Sequence, residues 1–220
     1  RFNSLQSQIQ PHFLYNTLDC IHWQAVVDGN QEISILVKAL ARYYRICLSK
    51  GHDVIPLKTE VEHVQNYLII QNMRYDNIIG SSIYVEENCK EAMIPKLTLQ
   101  PLVENSIYHG IAPMEENGSV EILAEQREDM LDLWVIDTGI GMDEEELKGL
   151  EQNGKGHSGV HSIGIKSIRE RLEYLYPEHY SFEIYSEKGK GTTILISVPY
   201  QKDLSLLREA EEDEGEIHEE

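Results

Sequence analysis

The sequence predicts an α+β protein. A helical hairpin that dimerises as a four-helix bundle comes first, and an α/β sandwich follows, with one mostly antiparallel sheet and helices on one face. Two observations predict it. Apolar residues recur every three to four positions from Phe2 to Cys47, interrupted only by the turn signal Asp28-Gly29-Asn30. Beyond Ile55, runs of strand period and runs of helix period come in mixed order, with antiparallel neighbours. A two-helix hairpin buries too little by itself, and a second copy is the natural remedy. The expected boundaries are residues 1–54 for the helices, 55–200 for the sandwich and 201–220 for an acidic, disordered tail.

The elements can be placed in order. In a first helix to about residue 28, Phe2, Leu5, Ile9 and Phe13 make one stripe, and Leu14, Leu18, Ile21 and Ala25 a second. Pro11 should bend that helix just before His12. A second helix carries Ile33, Leu36, Val37, Leu40, Tyr44 and Cys47 on one face and stops at Gly51. A third, near 58–75, is lined by Val61, Val64, Leu68 and Ile69. A strand over 78–85 precedes a helix from Lys96 to Gly110 that opens after Pro95. Residues 119–125 and 130–136 alternate and read as an antiparallel pair. A short helix over 144–150, a mobile Gly/His/Ser-rich loop over 151–162 and a helix over 163–176 follow. Strands over 181–186 and 192–198 complete the fold.

Composition narrows the function. The 220 residues are 41% hydrophobic and 26% charged, an ordinary soluble make-up, and the net charge is -19. Such a surface repels nucleic acid and anionic lipid, so an anionic ligand needs a local pocket that overcomes the field. Three scattered cysteines without a CxxC pair fit a reducing compartment. No apolar run reaches membrane-spanning length and no signal-peptide pattern is present. The chain opens at Arg1 without methionine and is expected to be a piece of a longer protein.

Four stretches carry chemistry. Asp137-Thr138-Gly139-Ile140-Gly141-Met142 follows an apolar strand. Its carboxylate suits an exocyclic amine and its glycines allow close approach of a flat ligand, although an Asp-Gly turn is the plainer reading of the stretch alone. Asn105 and His109 lie four apart on a helix and so share a face; an amide oxygen is a hard ligand suited to Mg²⁺. Gly164 opens a helix whose free amides attract phosphate, with Lys166 and Arg169 nearby. Gly189-Lys190-Gly191-Thr192 reads as a tight turn between strands. There is no GxxxxGK[ST] phosphate loop, and no third glycine at dinucleotide-fold spacing after Gly139 and Gly141. His157 and His161 have a four-residue spacing but no cysteine or carboxylate beside them, which is weak for a metal site.

The order of these stretches resembles the ATP-binding fold shared by histidine kinases, gyrase, Hsp90 and MutL. The resemblance implies that Asn105 holds Mg²⁺, with His109 nearby. It implies that Asp137 reads adenine, Gly139 and Gly141 shape the purine site, and Gly164 and Lys166 meet phosphate under a lid. Gly191 and Thr192 complete the nucleotide contacts. ATPases of that group place a water-activating glutamate four residues before the asparagine; here that residue is Pro101, which points to a kinase.

Upstream, Gln10-Pro11-His12-Phe13-Leu14-Tyr15-Asn16-Thr17-Leu18 together with the segment Leu99 to Gly110 is similar to the LytS/YesM-type sensor histidine kinases. That resemblance covers the chain apart from its acidic tail. It implies a cytoplasmic portion of a bacterial membrane sensor, working as a homodimer, with membrane contact only through segments outside this chain. Residues 1–54 become dimerisation and phosphoacceptor helices, and 55–200 the catalytic ATP-binding domain. His12 would take the γ-phosphoryl group of ATP and pass it to an aspartate of a response regulator. Asn16, one turn on, would orient the imidazole or a water. Phe13 stands where many such kinases carry an acidic residue, and Ser162 stands where related sequences have a lid-hinge glycine. The alternatives are a GHKL-type ATPase and a nucleotide-binding dimer module without kinase activity.

Overall fold

A computed structural model describes residues 11–48, 54–75, 77–114, 116–152 and 160–202. The chain divides into two compact units: Arg1–Gly51 with Glu62–Asn77, and His52–Val61 with Ile78–Glu220.

The first unit begins with helices α1 (Pro11–Val27) and α2 (Gln31–Leu48). Gly29, at φ 70°, turns the chain between them, and the Asn30 side chain accepts from the Ile33 amide at 3.1 Å, capping α2. Leu18, Val37 and Ala41 pack between the two helices, with Leu14 and Leu40 at the margin. Leu14 and Leu18 of the second stripe thus meet α2, and Ala25 is buried, whereas Ile21 of that stripe is exposed. Phe13, Ile21, Trp23, Val26 and Val27 remain exposed, as do Ile33 and Ile35 of α2. Among the described residues only one side of α1 is covered. The expected kink lies at the edge of the described residues, and Gly51 falls outside them.

Helix α3 runs from Leu57 to Arg74. Its opening through Val61 belongs to the second unit and the remainder to the first. Val64 and Leu68 are buried as expected, but Ile69 is exposed. The His63 ring stacks on Tyr43 of α2, with centroids 4.6 Å apart.

In the second unit, β1 (Val54–Pro56) pairs antiparallel with β3 (Met93–Pro95). The main sheet contains β2 (Ile79–Val85), β4 (Gly118–Arg127), β5 (Met130–Asp137), β6 (Ser181–Glu187) and β7 (Gly191–Pro199) in the order β2-β4-β5-β7-β6. All its pairings are antiparallel except β2 with β4. Strand alternation puts Val120, Ile122, Leu131, Leu133, Val135, Ile194 and Ile196 on one face, all buried. Against β5 lies α4 (Leu99–Asn105), which also packs on α6 (Val160–Leu175). A short helix α5 (Glu144–Gln152) lies near β6.

The expected helix from Lys96 to Gly110 is broken up. Leu97 takes a left-handed φ of 60°, so α4 starts only at Leu99. After Asn105 the backbone widens into a π turn over Ser106–Ile111. The predicted loop is also shorter at both ends: α5 reaches Gln152, and α6 already begins at Val160, so Ser162 is helical. Residues 153–159 and the acidic tail from 203 on lie outside the described residues.

Cys89 is fully buried, which pushes its thiol up to about 11, whereas Cys20 is exposed. At pH 8 only ~0.1% of such a thiol is ionised. Iodoacetamide is therefore expected to label Cys20 and spare Cys89 in the folded chain, with both labelled in denaturant; peptide mass spectrometry reads the difference.

Candidate functional site

The site forms where β5 ends. Asp137 continues the buried row Leu131, Leu133, Val135, and the central place of β5 brings β4 and β7 against its last residue. Asp137 is only 6% exposed. Its Oδ1 accepts from the Gly139 amide at 2.9 Å and the Thr192 amide at 3.1 Å. The Ser106 hydroxyl donates to the same carboxylate. Burial pushes the carboxyl above the ordinary aspartate range, and the Gly139, Ser106 and Thr192 donors offset only part of that.

Three segments meet around this carboxylate, backbone against backbone. Ile140 donates its amide to the Gly110 carbonyl at 3.0 Å, and Gly189 donates to the Ile140 carbonyl at 2.6 Å. A Cβ on Gly139 would stand 2.3 Å from the Gly110 Cα, so no other residue fits there without moving the π turn. Gly191 has φ 97°, and a Cβ on it would fall 1.9 Å from the Asp137 carbonyl oxygen. Gly141 sits beside the Glu187 carbonyl. The Ser186 hydroxyl donates to the Gly191 carbonyl at 3.0 Å and accepts from the Met142 amide at 2.9 Å, closing the far side.

Asn105 ends α4, next to Ser106. Its Nδ2 is buried and has no hydrogen-bond partner among the described residues. A buried amide left open is costly unless a ligand or water meets it. Gly164 of α6 faces the same spot: a Cβ there would lie 3.4 Å from the Pro101 Cβ and 3.9 Å from Asn105 Nδ2.

The structure thus brings Asn105, Asp137, Gly139, Gly141, Gly164, Gly191 and Thr192 into one unit, with Asp137, Gly139, Gly191 and Thr192 in contact. It revises two arguments from spacing. Because α6 starts at Val160, Gly164 lies past the first turn, and the unpaired amides belong to residues upstream of it. The four-residue spacing of Asn105 and His109 spans a change from α to π geometry, so the shared-face argument does not carry over. Lys166 is exposed and lies 3.6 Å from Glu170. Sequence reasoning missed Ser106, Gly110 and Ser186. Ser106 is adjacent to Asn105, yet only the π turn's position against β5 gives it Asp137 as a partner.

His12 and Asn16 belong to the first unit, exposed on α1. The Asn16 amide nitrogen is 3.3 Å from His12 Nδ1 and 3.4 Å from Nε2, as the helical spacing implied. Among the described residues, no cluster of His, Cys, Asp or Glu could hold a metal, and no helix is long and apolar enough to cross a membrane.

A buried carboxylate with an open amide nearby offers an acceptor and a donor to a polar ligand. Fold and site together define an α/β sandwich with a candidate ligand site at the end of its central strand. Comparison with known proteins narrows this. Residues 92–202 match the family of histidine kinase-, DNA gyrase B-, and HSP90-like ATPases, to which the chain belongs, and residues 1–79 match the histidine kinase family. The chain is 34% identical over 201 residues to the sensor histidine kinase YesM of Bacillus subtilis, covering 91% of this chain and 33% of that protein. It is 34% identical over 207 residues to the sensor protein LytS of Oceanobacillus iheyensis, covering 91% and 34%. The sensor protein kinase HptS of Staphylococcus aureus is 28% identical, with 92% and 39% covered. The chain therefore spans about a third of the length of these relatives. Among solved structures, the histidine kinase domain of the blue-light activated kinase from Erythrobacter litoralis EL346 has the same fold. It matches with TM-score 0.53 at 16% identity, over 90% of this chain and 97% of that one.

Proposed function

We propose that this chain is the kinase core of a two-component sensor, which autophosphorylates His12 from Mg-ATP and hands the phosphoryl group to an aspartate of a response regulator. The observation that carries the reading is the presence, on one chain, of an exposed His12 with Asn16 beside it and a separate unit with a nucleotide site around Asp137. Asp137 reads the adenine amine, the backbone around Gly139, Gly141, Gly191 and Thr192 shapes the base site, and Gly164, Lys166 and His109 lie on the phosphate side. Asn105 offers its amide to the metal and phosphates; the open Nδ2 supports a ligand at that position. Asn105 would hold Mg²⁺ through its amide oxygen, and the ion would supply charge neutralisation at the phosphates.

A neutral ring nitrogen of His12 attacks the γ-phosphorus. The N–P bond forms as the bond to the bridging oxygen breaks, and ADP leaves with that electron pair. Asn16 holds the ring in position. Residues 1–54 serve in dimerisation and phosphoacceptance, and 55–200 as the catalytic domain. The exposed apolar side of the hairpin supports a homodimer, and the acidic surface supports a protein partner over nucleic acid. The chain is the cytoplasmic part of a membrane sensor, whose membrane segments lie elsewhere in the whole protein. Pro101 stands where a hydrolase would need its water-activating carboxylate, which disfavours the ATPase alternative.

Incubation with γ-labelled ATP and Mg²⁺ should give acid-labile, alkali-stable label that disappears in His12→Gln. Label that persists in His12→Gln removes His12 as the acceptor. Nucleotide binding without label would leave a binding module, and steady phosphate release insensitive to His12→Gln an ATPase.

A further inference from the structure

A buried acid that no part of the nucleotide reading uses lies at the other end of α4. Glu60, in the opening turn of α3, has 0% exposure. Its Oε2 accepts from the Leu97 amide at 3.0 Å, and its Oε1 from the Leu99 amide at 3.0 Å and the Gln100 amide at 3.4 Å. The Leu99 and Gln100 amides are donors that a helix start leaves unpaired, and the Leu97 amide lies just before it. The local capping residue does not serve them: Thr98 has a helical backbone, makes no cap hydrogen bond, and donates its hydroxyl to the Pro95 carbonyl at 2.6 Å. Capping of α4 has passed to a carboxylate about 40 positions away in the chain.

Arg171 completes the arrangement from α6. It donates from Nη2 to the Leu97 carbonyl at 2.8 Å and from Nη1 to the Lys96 carbonyl. Leu97, in its left-handed conformation, is therefore held at its amide by Glu60 and at its carbonyl by Arg171. Gly164 and Arg171 are seven residues apart on α6, two turns, and so share a face. That face touches α4 at two points: Gly164 beside Pro101 and Asn105, Arg171 at the turn before Leu99. Helix α4 has only seven residues, so a shift at its start reaches Asn105 at its end.

Resting on the nucleotide reading above, we propose that Glu60 and Arg171 are positioning residues, clamping the start of α4 and its register against α6 so that the Asn105 amide meets the metal and phosphates of the nucleotide.

The test titrates the whole chain with a fluorescent ATP analogue over a range of Mg²⁺ concentrations, alongside thermal melts and circular dichroism. For Glu60→Gln the Mg²⁺ concentration giving half-maximal uptake should rise about tenfold, because one acceptor oxygen becomes an amide donor facing backbone donors. Adenosine competition, which reads the Asp137 end, should change less than twofold. The exposed Glu62→Gln should leave both unchanged. A purely structural role would instead lower the melting temperature while the folded fraction kept the wild-type Mg²⁺ midpoint, and that result overturns the proposal. If Glu60→Gln is unfolded at the assay temperature, Arg171→Lys decides: it keeps the charge, loses the two-carbonyl fork, and should shift the Mg²⁺ midpoint the same way. An unshifted midpoint in Arg171→Lys overturns the inference. Wild-type chain with no Mg²⁺-dependent uptake would remove the nucleotide reading itself, an outcome distinct from wild-type uptake that neither variant alters.

Discussion

Gly139→Ala is expected to abolish nucleotide uptake and to lower the melting temperature by roughly 6–12 °C. The added methyl would sit 2.3 Å from the Gly110 Cα, 2.4 Å from its carbonyl carbon and 2.7 Å from its oxygen. Backbone cannot rotate aside as a flexible side chain does. Relief requires the Asp137 loop and the π turn to part, which breaks the hydrogen bond from Ile140 to Gly110. Overpacking of this kind costs about 3 kcal/mol at the upper end of its usual range, and in a chain of this size each kcal/mol shifts the midpoint by about 2–4 °C. Glycine substitutions elsewhere supply the contrast. A Cβ on Gly149, within α5, meets nothing within 4 Å, so Gly149→Ala should gain about 0.5–1 kcal/mol and bind nucleotide as the wild type does. Isothermal titration and scanning calorimetry on both variants provide the check. Normal nucleotide uptake by Gly139→Ala would mean that the base does not lie on this glycine contact.

Asp137→Asn should reduce ATP affinity by roughly 10- to 150-fold, the equivalent of about 1.5–3 kcal/mol for a hydrogen bond to a charged group. The variant can still accept from Gly139 and Thr192 with its amide oxygen. Its amide nitrogen then replaces the second oxygen, and a donor meets the donor of an adenine amine. The pH dependence gives a second readout. Burial raises the Asp137 carboxyl above its ordinary value of 3.8. As pH falls through that raised value the acceptor is protonated, so wild-type affinity should begin to drop at a higher pH than an ordinary aspartate would allow. In Asp137→Asn this limb should be flat. The linkage sign follows: a raised carboxyl favours the folded chain most below the ordinary aspartate range, and loses that contribution as pH rises through the folded value. Ligand binding, which gives the buried charge a partner, offsets the loss. Competition titrations carried downward in pH, through the raised value and on to the ordinary aspartate range, separate these behaviours.

Local pattern carried much of this protein. Alternation fixed the β4–β5 and β6–β7 strands within a residue or two, since one face of each is buried and the period leaves a single choice. The Asp28-Gly29-Asn30 signal located the hairpin turn, and the four-residue step from His12 to Asn16 survives as a side-chain contact. The order of the glycine-bearing stretches marked candidate residues that fall in one compact unit.

Where local pattern failed, a distant residue had taken over a local duty. Lys96 to Gly110 has continuous helical character, yet α4 begins late because Leu97 turns left-handed under contacts from Glu60 and Arg171, which no window around Leu97 contains. The turn after Asn105 widens where Gly110 meets Gly139, a contact joining segments far apart in the chain. The parallel pairing of β2 with β4 was equally invisible, because a strand's period does not name its neighbour. The amino-acid order by itself singled out the candidate site residues and most of the segments that are helix or strand, because side-chain period and residue type are short-range properties. Only tertiary structure decided where the site helix begins, what holds the Asp137 carboxylate and which glycines touch, because those depend on backbone donors and acceptors finding partners across the fold.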